Sequence, residues 1–238
     1  MIDGILPINK EEGITAYDVI RKLKKVLPKG QKIGHAGTLD PFATGLLVIL
    51  LGKCTKLMDT FHTFNKEYTV KAEFGYATDT QDVTGQKTNF LEKKQLEKKR
   101  LSKEEIQDAI NQNLIGRIEQ MPPIYSAKKV KGQRAYDIAR SGKTVQLKPK
   151  EIEVLTFQIT EYDWPFCSFK ILCSTGTYVR TLVYDLGNIL GIYATAIELC
   201  RSKVGEFNLE SAFNSENIEP ERRNEILEKV ININNLKL

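Results

Sequence analysis

The segment IGHAGTLDPFATGLLVILLGK, residues 33–53, constrains the fold more than any other part of the sequence. Its apolar run, residues 43–51, is too short for a typical buried helix and ends at Gly52, which indicates a strand. One carboxylate, Asp40, precedes the run, and glycines stand at 34, 37 and 45. Glycine allows backbone shapes and close approaches that other residues resist. The segment therefore predicts a rigid loop that displays one acid and is backed by an apolar strand.

The remaining sequence predicts strands and helices without the strict βαβ order of a doubly wound sheet. Alternating or apolar patterns indicate strands at 4–9, 68–74, 145–160, 166–174 and 196–205. Caps and helical periodicity indicate helices at 15–27, 53–64, 102–113, 177–190 and 221–230. The charge run 92–100 is predicted to be a solvated linker. We expect an α+β fold, a mixed and mainly antiparallel sheet flanked by helices.

Composition excludes several classes of protein. The chain has 238 residues, 41% of them apolar and 27% charged, which is typical of a globular protein. Its longest apolar run, residues 46–51, is far shorter than the roughly 20 residues of a membrane span. The N-terminus has no signal-peptide pattern, so we expect a cytoplasmic protein without a membrane partner. Four cysteines without a CxxC pair, and two histidines, favour neither a metal site nor a disulfide framework.

Positive charge is concentrated in one segment. The net charge is only +5, but residues 128–150 hold eight basic residues and one acid. Such a local excess is typical of a surface that binds RNA or DNA. A solvated surface loop remains the alternative on charge alone.

Two other motifs fail on spacing. A phosphate-binding P-loop needs four residues between its glycines, whereas six separate Gly45 from Gly52, and a cysteine follows Lys53. The acidic segment 79–85 has Val83 where a calcium ligand is needed, so it is interpreted as a turn.

A single acid also limits the chemistry. The common glycosidase scheme needs two carboxylates, which the segment around Asp40 does not supply. One aspartate is enough for a reaction in which it acts as nucleophile or base and no outside reactant joins, such as isomerisation of a nucleotide's base. An ordinary Asp-Pro turn is the alternative interpretation of Asp40.

Residues 34–45, GHAGTLDPFATG, closely resemble the catalytic motif of the TruB family, the bacterial tRNA pseudouridine-55 synthases. Further segments resemble the family's other motifs in the same order: KEYTV at 66–70 with TDT at 78–80, PIYSAKK at 123–129, CSTGTYVR at 173–180 and ELCRSKVG at 198–205. The resemblance is collinear from about Gly4 to Phe213.

The resemblance implies a pseudouridine synthase fold with an inserted RNA-clamping segment at about 123–150. It implies a catalytic domain at 1–213 and a short tail at 214–238, too short for the PUA domain that many members carry. It further implies action on the T stem-loop of tRNA, with no cofactor, no metal and no obligate protein partner.

The resemblance also assigns roles to individual residues. Asp40 would be the catalytic acid, and Arg180 would pair with it. Four residues would bind or support the substrate: Tyr68 by stacking on the uracil, Leu199 as an apolar wall, His35 against the RNA where the base has left its stack, and Lys10 in support near Tyr68. The RNA backbone would contact Lys128, Lys129, Lys131, Arg134, Arg140 and Lys143.

One motif departs from the family pattern. The usual Asp-Lys-Pro is Asn9-Lys10-Glu11 here, so a rigid proline is replaced. Two alternatives stay open at this point. One is a non-catalytic RNA-binding or RNA-folding protein acting on tRNA T-arms, and the other is a guide-directed relative acting on rRNA.

Overall fold

The computed structural model describes residues 1–126 and 147–232, together with the backbone of 129–130 and 133–134. The strands are β1 (Gly4–Lys10), β2 (Ile33–Ala36), β3 (Thr44–Leu51), β4 (Lys66–Phe74), β5 (Tyr76–Thr78), β6 (Lys87–Phe90), β7 (Gly116–Gln120), β8 (Lys129–Val130), β9 (Gln133–Arg134), β10 (Lys150–Asp163), β11 (Phe166–Cys173), β12 (Ala194–Val204), β13 (Phe207–Asn208) and β14 (Phe213–Asn214). The α-helices are α1 (Ala16–Val26), α2 (Met58–Thr63), α3 (Lys93–Lys98), α4 (Lys103–Asn113), α5 (Val179–Ile189) and α6 (Arg223–Glu228).

The chain divides into two compact units. One consists of residues 1–68 and 200–238, and the other of residues 69–199. Strands β4 and β12 have residues in both units, because the boundaries fall within them.

The first unit is built around an apolar sheet. Its strand order is β14–β1–β3–β12, with β2 antiparallel to β3 and β13 antiparallel to β12. The β1–β3 pair is antiparallel, whereas β14 and β12 run parallel to their neighbours β1 and β3. A buried cluster lies on this sheet and includes Leu46, Val48, Leu50, Phe61 and Phe207. Burial of these side chains, at about 25 cal/mol per Å² of apolar surface, is the main stabilising contribution to the unit.

The second unit continues the antiparallel pattern. Its strands follow the order β12–β4–β11–β10–β7, and both β10–β11 and β10–β7 pair antiparallel. Helix α4 is held to β10 by Gln107, whose amide accepts from Ile159 N and donates to Phe157 O. Edge-to-face packing of Phe157 on Phe169 lies in the buried interior. The predicted α+β class with a mainly antiparallel sheet is confirmed.

The local signals predicted most elements and missed some. Thr15 caps α1 in a capping box with Asp18, and Ser102 caps α4 in the same way with Glu105. The prediction of a linker at 92–100 was wrong, because Lys93–Lys98 form α3. Glu92 and Gln95 supply its capping box, and no side chain of this helix is buried, so it lacks the apolar stripe that would have marked it. The short strands β2, β5, β6, β7, β8, β9, β13 and β14 were also not predicted.

Within the described residues, no helix is both long and apolar enough to cross a membrane.

Candidate active site

Asp40 lies in the segment that links β2 to β3; we define the Asp40 loop as residues 37–46, which includes the first three residues of β3. Asp40 is half-buried, and its backbone carbonyl accepts a hydrogen bond from Ala43 N at 3.1 Å. Gly37 and Gly45 have φ angles of +86° and +103°. These angles favour glycine, since a Cβ atom would strain the backbone there. The predicted loop that carries one acid between glycines is therefore present in the fold.

Lys10 contacts the Asp40 loop from β1. Its side chain is fully buried, and Nζ donates to the carbonyls of Glu11 at 2.7 Å, Ile14 at 2.9 Å and Pro41 at 3.3 Å. Burial lowers the pKa of Lys10 to about 8, although the negative charge of Asp40 acts in the opposite direction. The hydrogen bonds of Lys10 thus stabilise the chain directly after Asp40; the expected support of Tyr68 stays a prediction.

Arg201 contacts the same loop from β12. Only 1% of its surface is exposed, and Nε donates to Leu46 O at 2.8 Å, Nη2 to Gly37 O at 3.0 Å and Nη1 to Thr38 O at 3.4 Å. In the parallel β3–β12 pair, Arg201 stands opposite Gly45. The guanidinium therefore reaches carbonyls at both ends of the Asp40 loop.

Arg180 lies in the first turn of helix α5, in the second unit, and pairs with a carboxylate, Asp82, that was not predicted from the sequence. Its Nη1 lies 3.3 Å from Asp82 Oδ2, and both side chains are buried. The other oxygen of Asp82 accepts from Thr80 Oγ1 and from the backbone N–H and hydroxyl of Thr84. The turn at 79–85 thus fixes Asp82, and Asp82 orients Arg180.

Two backbone contacts hold Arg180 further. Nη1 donates to Thr80 O at 3.0 Å, and Nη2 donates to Tyr125 O at 2.6 Å. Gln120 fixes the turn that precedes the helix, because its amide donates to Tyr178 O and accepts from Tyr178 N. These contacts within the second unit, to Asp82, Thr80 and Tyr125, help to set the direction of the Arg180 side chain.

The remaining predicted site residues occupy strands. His35 is half-buried in β2, opposite Ile49 of β3. Tyr68 lies in β4 with 9% exposure, and Leu199 lies in β12 with 7% exposure. The pairing of Arg180 with Asp40, and the contacts of Tyr68, Leu199 and His35 with substrate, stay predictions.

The predicted RNA-backbone residues fall largely outside the described residues. Lys128, Lys131, Arg140 and Lys143 are not described, nor are the side chains of Lys129 and Arg134. The backbone of the last two belongs to the antiparallel pair β8–β9, with Lys129 opposite Arg134.

Comparison with known proteins decides the family. Residues 21–179, more than half of the chain, match the family model described as TruB family pseudouridylate synthase, N-terminal domain. The chain belongs to the TruB family. It is 40% identical over 226 residues to the tRNA pseudouridine synthase B of Clostridium tetani, which covers 95% of this chain and 76% of that one. The synthase of the same name from Fusobacterium nucleatum is 41% identical over 211 residues, 88% of this chain and 70% of that one.

Solved structures of low sequence identity share the fold. A Cbf5-Nop10-Gar1 complex contains a chain that matches with a TM-score of 0.66 and 23% identity, over 89% of this chain and 52% of that one. An H/ACA RNP bound to a substrate RNA containing 2'-deoxyuridine matches with a TM-score of 0.67 and 20% identity, over 96% of this chain and 58% of that one. This chain therefore spans about half the length of these structural neighbours. The predicted pseudouridine synthase fold is confirmed.

The structure accounts for the residue at position 11, where this chain departs from the family motif. Glu11 stands where the TruB pattern has proline, and its backbone N–H donates to Ser215 Oγ at 2.9 Å. A proline could not donate this bond. The Glu11 carboxylate also pairs with Lys22 at 2.5 Å. The segment after Lys10 is therefore held by hydrogen bonds and an ion pair where the family uses a rigid ring.

Sequence reasoning missed Asp82 and the role of Arg201. Asp82 lies in the acidic turn that was considered only as a calcium site. Arg201 lies in the segment that resembles the Leu-Arg-Arg strand, two residues after Leu199, and a charged residue at a buried strand position was the available signal. The described residues hold no cluster of three His, Cys, Asp or Glu side chains suited to a metal ion.

Proposed function

We propose that this protein isomerises uridine to pseudouridine in tRNA, at position 55 in the T-loop. The observation that carries the proposal is Asp40, a single carboxylate on a loop held through its backbone by two buried cations, in a chain that belongs to the TruB family. The relatives in Clostridium tetani and Fusobacterium nucleatum are tRNA pseudouridine synthases by name, which supports tRNA as the substrate.

The reaction needs nothing beyond the nucleotide itself. The bond from C1′ of the ribose to N1 of uracil breaks, the base rotates, and a bond from C1′ to C5 forms. The proton on C5 is lost and N1 gains one, so that no atom is added. Asp40 would attack the ribose or the uracil, or remove a ribose proton, and each of these roles needs its ionised form.

The target base must leave its stack to reach Asp40. Unstacking a base costs a few kcal/mol, and stacking on an aromatic side chain returns about 1–3 kcal/mol. Tyr68 would supply the aromatic face, Leu199 the apolar wall, and His35 the contact at the vacated position. Arg180, fixed by Asp82, would direct the Asp40 carboxylate.

Binding of the tRNA backbone would fall to the basic residues between 128 and 143. Phosphate contacts orient an RNA, whereas stacking and base edges choose the nucleotide. Affinity for tRNA should therefore fall as salt rises, in proportion to the number of phosphates contacted. Residues 1–213 would form the catalytic domain and 123–150 its RNA-clamping segment.

The test is incubation of the purified protein with an unmodified tRNA transcript, followed by carbodiimide treatment and primer extension. We expect a strong stop in the T-loop with the wild type and none with Asp40→Asn. The Asp79→Asn protein serves as the control, because Asp79 is an exposed acid whose side chain accepts a bond from Gln86 N. A stop in all three proteins would show that Asp40 is not the catalytic group.

The same experiment separates the RNA-binding alternative. A protein that only folds RNA would bind the transcript and produce no stop, with equal affinity in wild type and Asp40→Asn. An isolated T stem-loop transcript, with the target uridine intact or replaced by cytidine, tests the position. Modification of the intact stem-loop alone would support the T-loop assignment, and modification elsewhere in the tRNA would overturn it.

A further inference from the structure

Arg201 is a buried cation whose side-chain hydrogen bonds, within the described part of the chain, all go to the backbone of the Asp40 loop. Its guanidinium donates to the carbonyls of Gly37 and Thr38, before Asp40, and of Leu46, at the start of the apolar strand. A guanidinium does not lose its proton in proteins. Burying it is unfavourable unless hydrogen bonds replace water, and the three carbonyls supply that replacement.

Lys10 completes the arrangement on the other side of Asp40. It is equally buried and donates to Pro41 O, the carbonyl that directly follows the catalytic acid. Gly13 N donates to the same oxygen at 2.8 Å. The loop is therefore bound through its main chain both before and after Asp40, by two cations from strands β1 and β12.

The two glycines of the loop are needed for this close contact. A Cβ on Gly45 would lie 2.4 Å from Arg201 O and 2.7 Å from Arg201 N. A Cβ on Gly37 would lie 3.4 Å from Arg201 Nη1. Gly45 thus leaves room for the backbone of Arg201, and Gly37 leaves room for the end of its side chain.

We propose that Arg201 is a positioning residue for Asp40, acting through the carbonyls of the Asp40 loop and not through the substrate. This inference rests on the proposed function, because the reaction of Asp40 provides one of its readouts. Catalysis depends on the reacting atoms being held to within a fraction of an ångström, and a displacement of about 1 Å can slow a reaction about 100-fold. The guanidinium is buried, so tRNA has no surface on Arg201 to contact.

The first test compares Arg201→Met and Arg201→Lys with the wild type in single-turnover kinetics and tRNA filter binding. We expect Arg201→Met to slow the chemical step about 100-fold while the tRNA dissociation constant changes less than about twofold. Arg201→Lys should be intermediate, because an ammonium group can reach some of the three carbonyls but not all of them.

The matched control is Gln31→Met. Gln31 is a buried side chain of the same unit that holds backbone groups of Ile2 and Lys32, away from the Asp40 loop. Its loss should affect stability in a similar way to the loss of Arg201. If Gln31→Met reacts at the wild-type rate, the slow chemical step of the Arg201 variants is due to the Asp40 loop and not to a general loss of stability.

The second test does not depend on activity. Ala43 N donates within the loop to Asp40 O, so its hydrogen exchange reports on loop opening. In Arg201→Lys we expect exchange of this amide to be at least about 10-fold faster, with no change in Gln31→Met. If the wild type forms no pseudouridine, the proposed function is wrong, but hydrogen exchange at Ala43 still tests whether Arg201 holds the Asp40 loop.

Three results would overturn the proposal. One is a folded Arg201→Met protein with a rate within about threefold of the wild type. Another is a slow Arg201→Lys protein whose Ala43 amide keeps its protection, since the loop would then not be the cause. The third is a large loss of tRNA affinity without a change in the chemical step. If Arg201→Met does not fold, Arg201→Lys decides on both readouts.

Discussion

The contact between Asp82 and Arg180 places two opposite charges in the interior of the second unit. Asp82→Asn keeps a side chain that can accept from Thr84, but it removes the charge that faces Arg180. Loss of one partner from a buried pair costs about 3–5 kcal/mol. We expect the free energy of unfolding to fall by about 3 kcal/mol, toward the low end because asparagine retains a dipole. Urea denaturation measures this change, and single-turnover kinetics should show a slower reaction.

Asp79→Asn is the control for the Asp82 prediction. Asp79 belongs to the same turn, but it is exposed, and its side chain accepts a hydrogen bond from Gln86 N. Its replacement should lower stability by less than about 1 kcal/mol and leave the rate unchanged. Equal losses in the two variants would mean that the turn itself, and not the charge of Asp82, is what matters.

The protonation state of Lys10 gives the Asp40 loop a dependence on pH. Burial lowers its pKa to about 8, while Asp40, Glu11 and Glu12 raise it and Arg201 lowers it. The folded-state pKa is below the ordinary value of 10.5, so the charge costs stability at pH below 8, and this cost disappears as pH rises from 8 to 10.5. Above pH 8 the neutral amine has only two N–H groups for three carbonyls.

We therefore expect the single-turnover rate to decline between pH 7.5 and 9, because the longest of the three bonds, to Pro41, weakens as Lys10 loses its proton. The measurement is a pH–rate profile of the wild type and of Lys10→Met. The variant should be slow at every pH and lack the decline. A decline of the same size in Lys10→Met would assign the titration to another group.

At the scale of elements, the junction of β3 with β12 depends on the absence of a side chain at Gly45. Gly45→Ala adds strain at a φ of +103° and a Cβ only 2.4 Å from Arg201 O. We expect a loss of about 2–3 kcal/mol, together with a slower reaction, since the two strands must move apart beside the Asp40 loop.

Gly30→Ala separates strain from collision. Gly30 has a φ of +85° and no atom within 4 Å of its added Cβ. Its replacement should therefore cost only the backbone strain, about 1 kcal/mol, and leave the rate unchanged. Unfolding of both variants in urea gives the comparison. Equal losses of unfolding free energy in the two variants would show that β3 and β12 can move apart without loss of stability.

At the scale of the whole molecule, Asp185 makes stability depend on pH. It lies half-buried in α5, and burial raises its pKa to about 6. A raised folded-state pKa means that the neutral carboxyl stabilises the fold at low pH, and this contribution is lost as pH rises from 3.8 through 6. A rise in pKa from 3.8 to about 6 corresponds to at most about 3 kcal/mol of stability, and partial exposure to water reduces this figure.

We accordingly expect Asp185→Asn to be more stable than the wild type at pH 8, by about 1 kcal/mol, and equally stable near pH 4. Urea unfolding at the two pH values measures both differences. Asp108→Asn, at an exposed position of α4, changes the net charge equally and should show no such difference between the two pH values. A pH-independent gain in Asp185→Asn would point to packing and not to charge.

The sequence predicted what depends on neighbours along the chain. Thr15 and Ser102 cap their helices as their spacing indicates, and the alternation around Tyr68 gives β4. Contacts between distant residues were beyond such signals. Arg180 and Asp82 are 98 positions apart, and Arg201 and Gly37 are 164 positions apart. The loop that carries Asp40 was therefore predictable, whereas the groups that hold it were not.

The Asp40 loop is held through atoms that every amino acid possesses. Arg201 and Lys10 bind the carbonyls of Gly37, Thr38 and Pro41, and no substitution at those three positions removes a carbonyl. The exposed side chain of Thr38 can accordingly vary during evolution without releasing the acid from its place. Inheritance of the catalytic geometry then depends on Arg201, Lys10, Gly37 and Gly45 together with Asp40 itself, while the exposed position 38 is open to neutral drift.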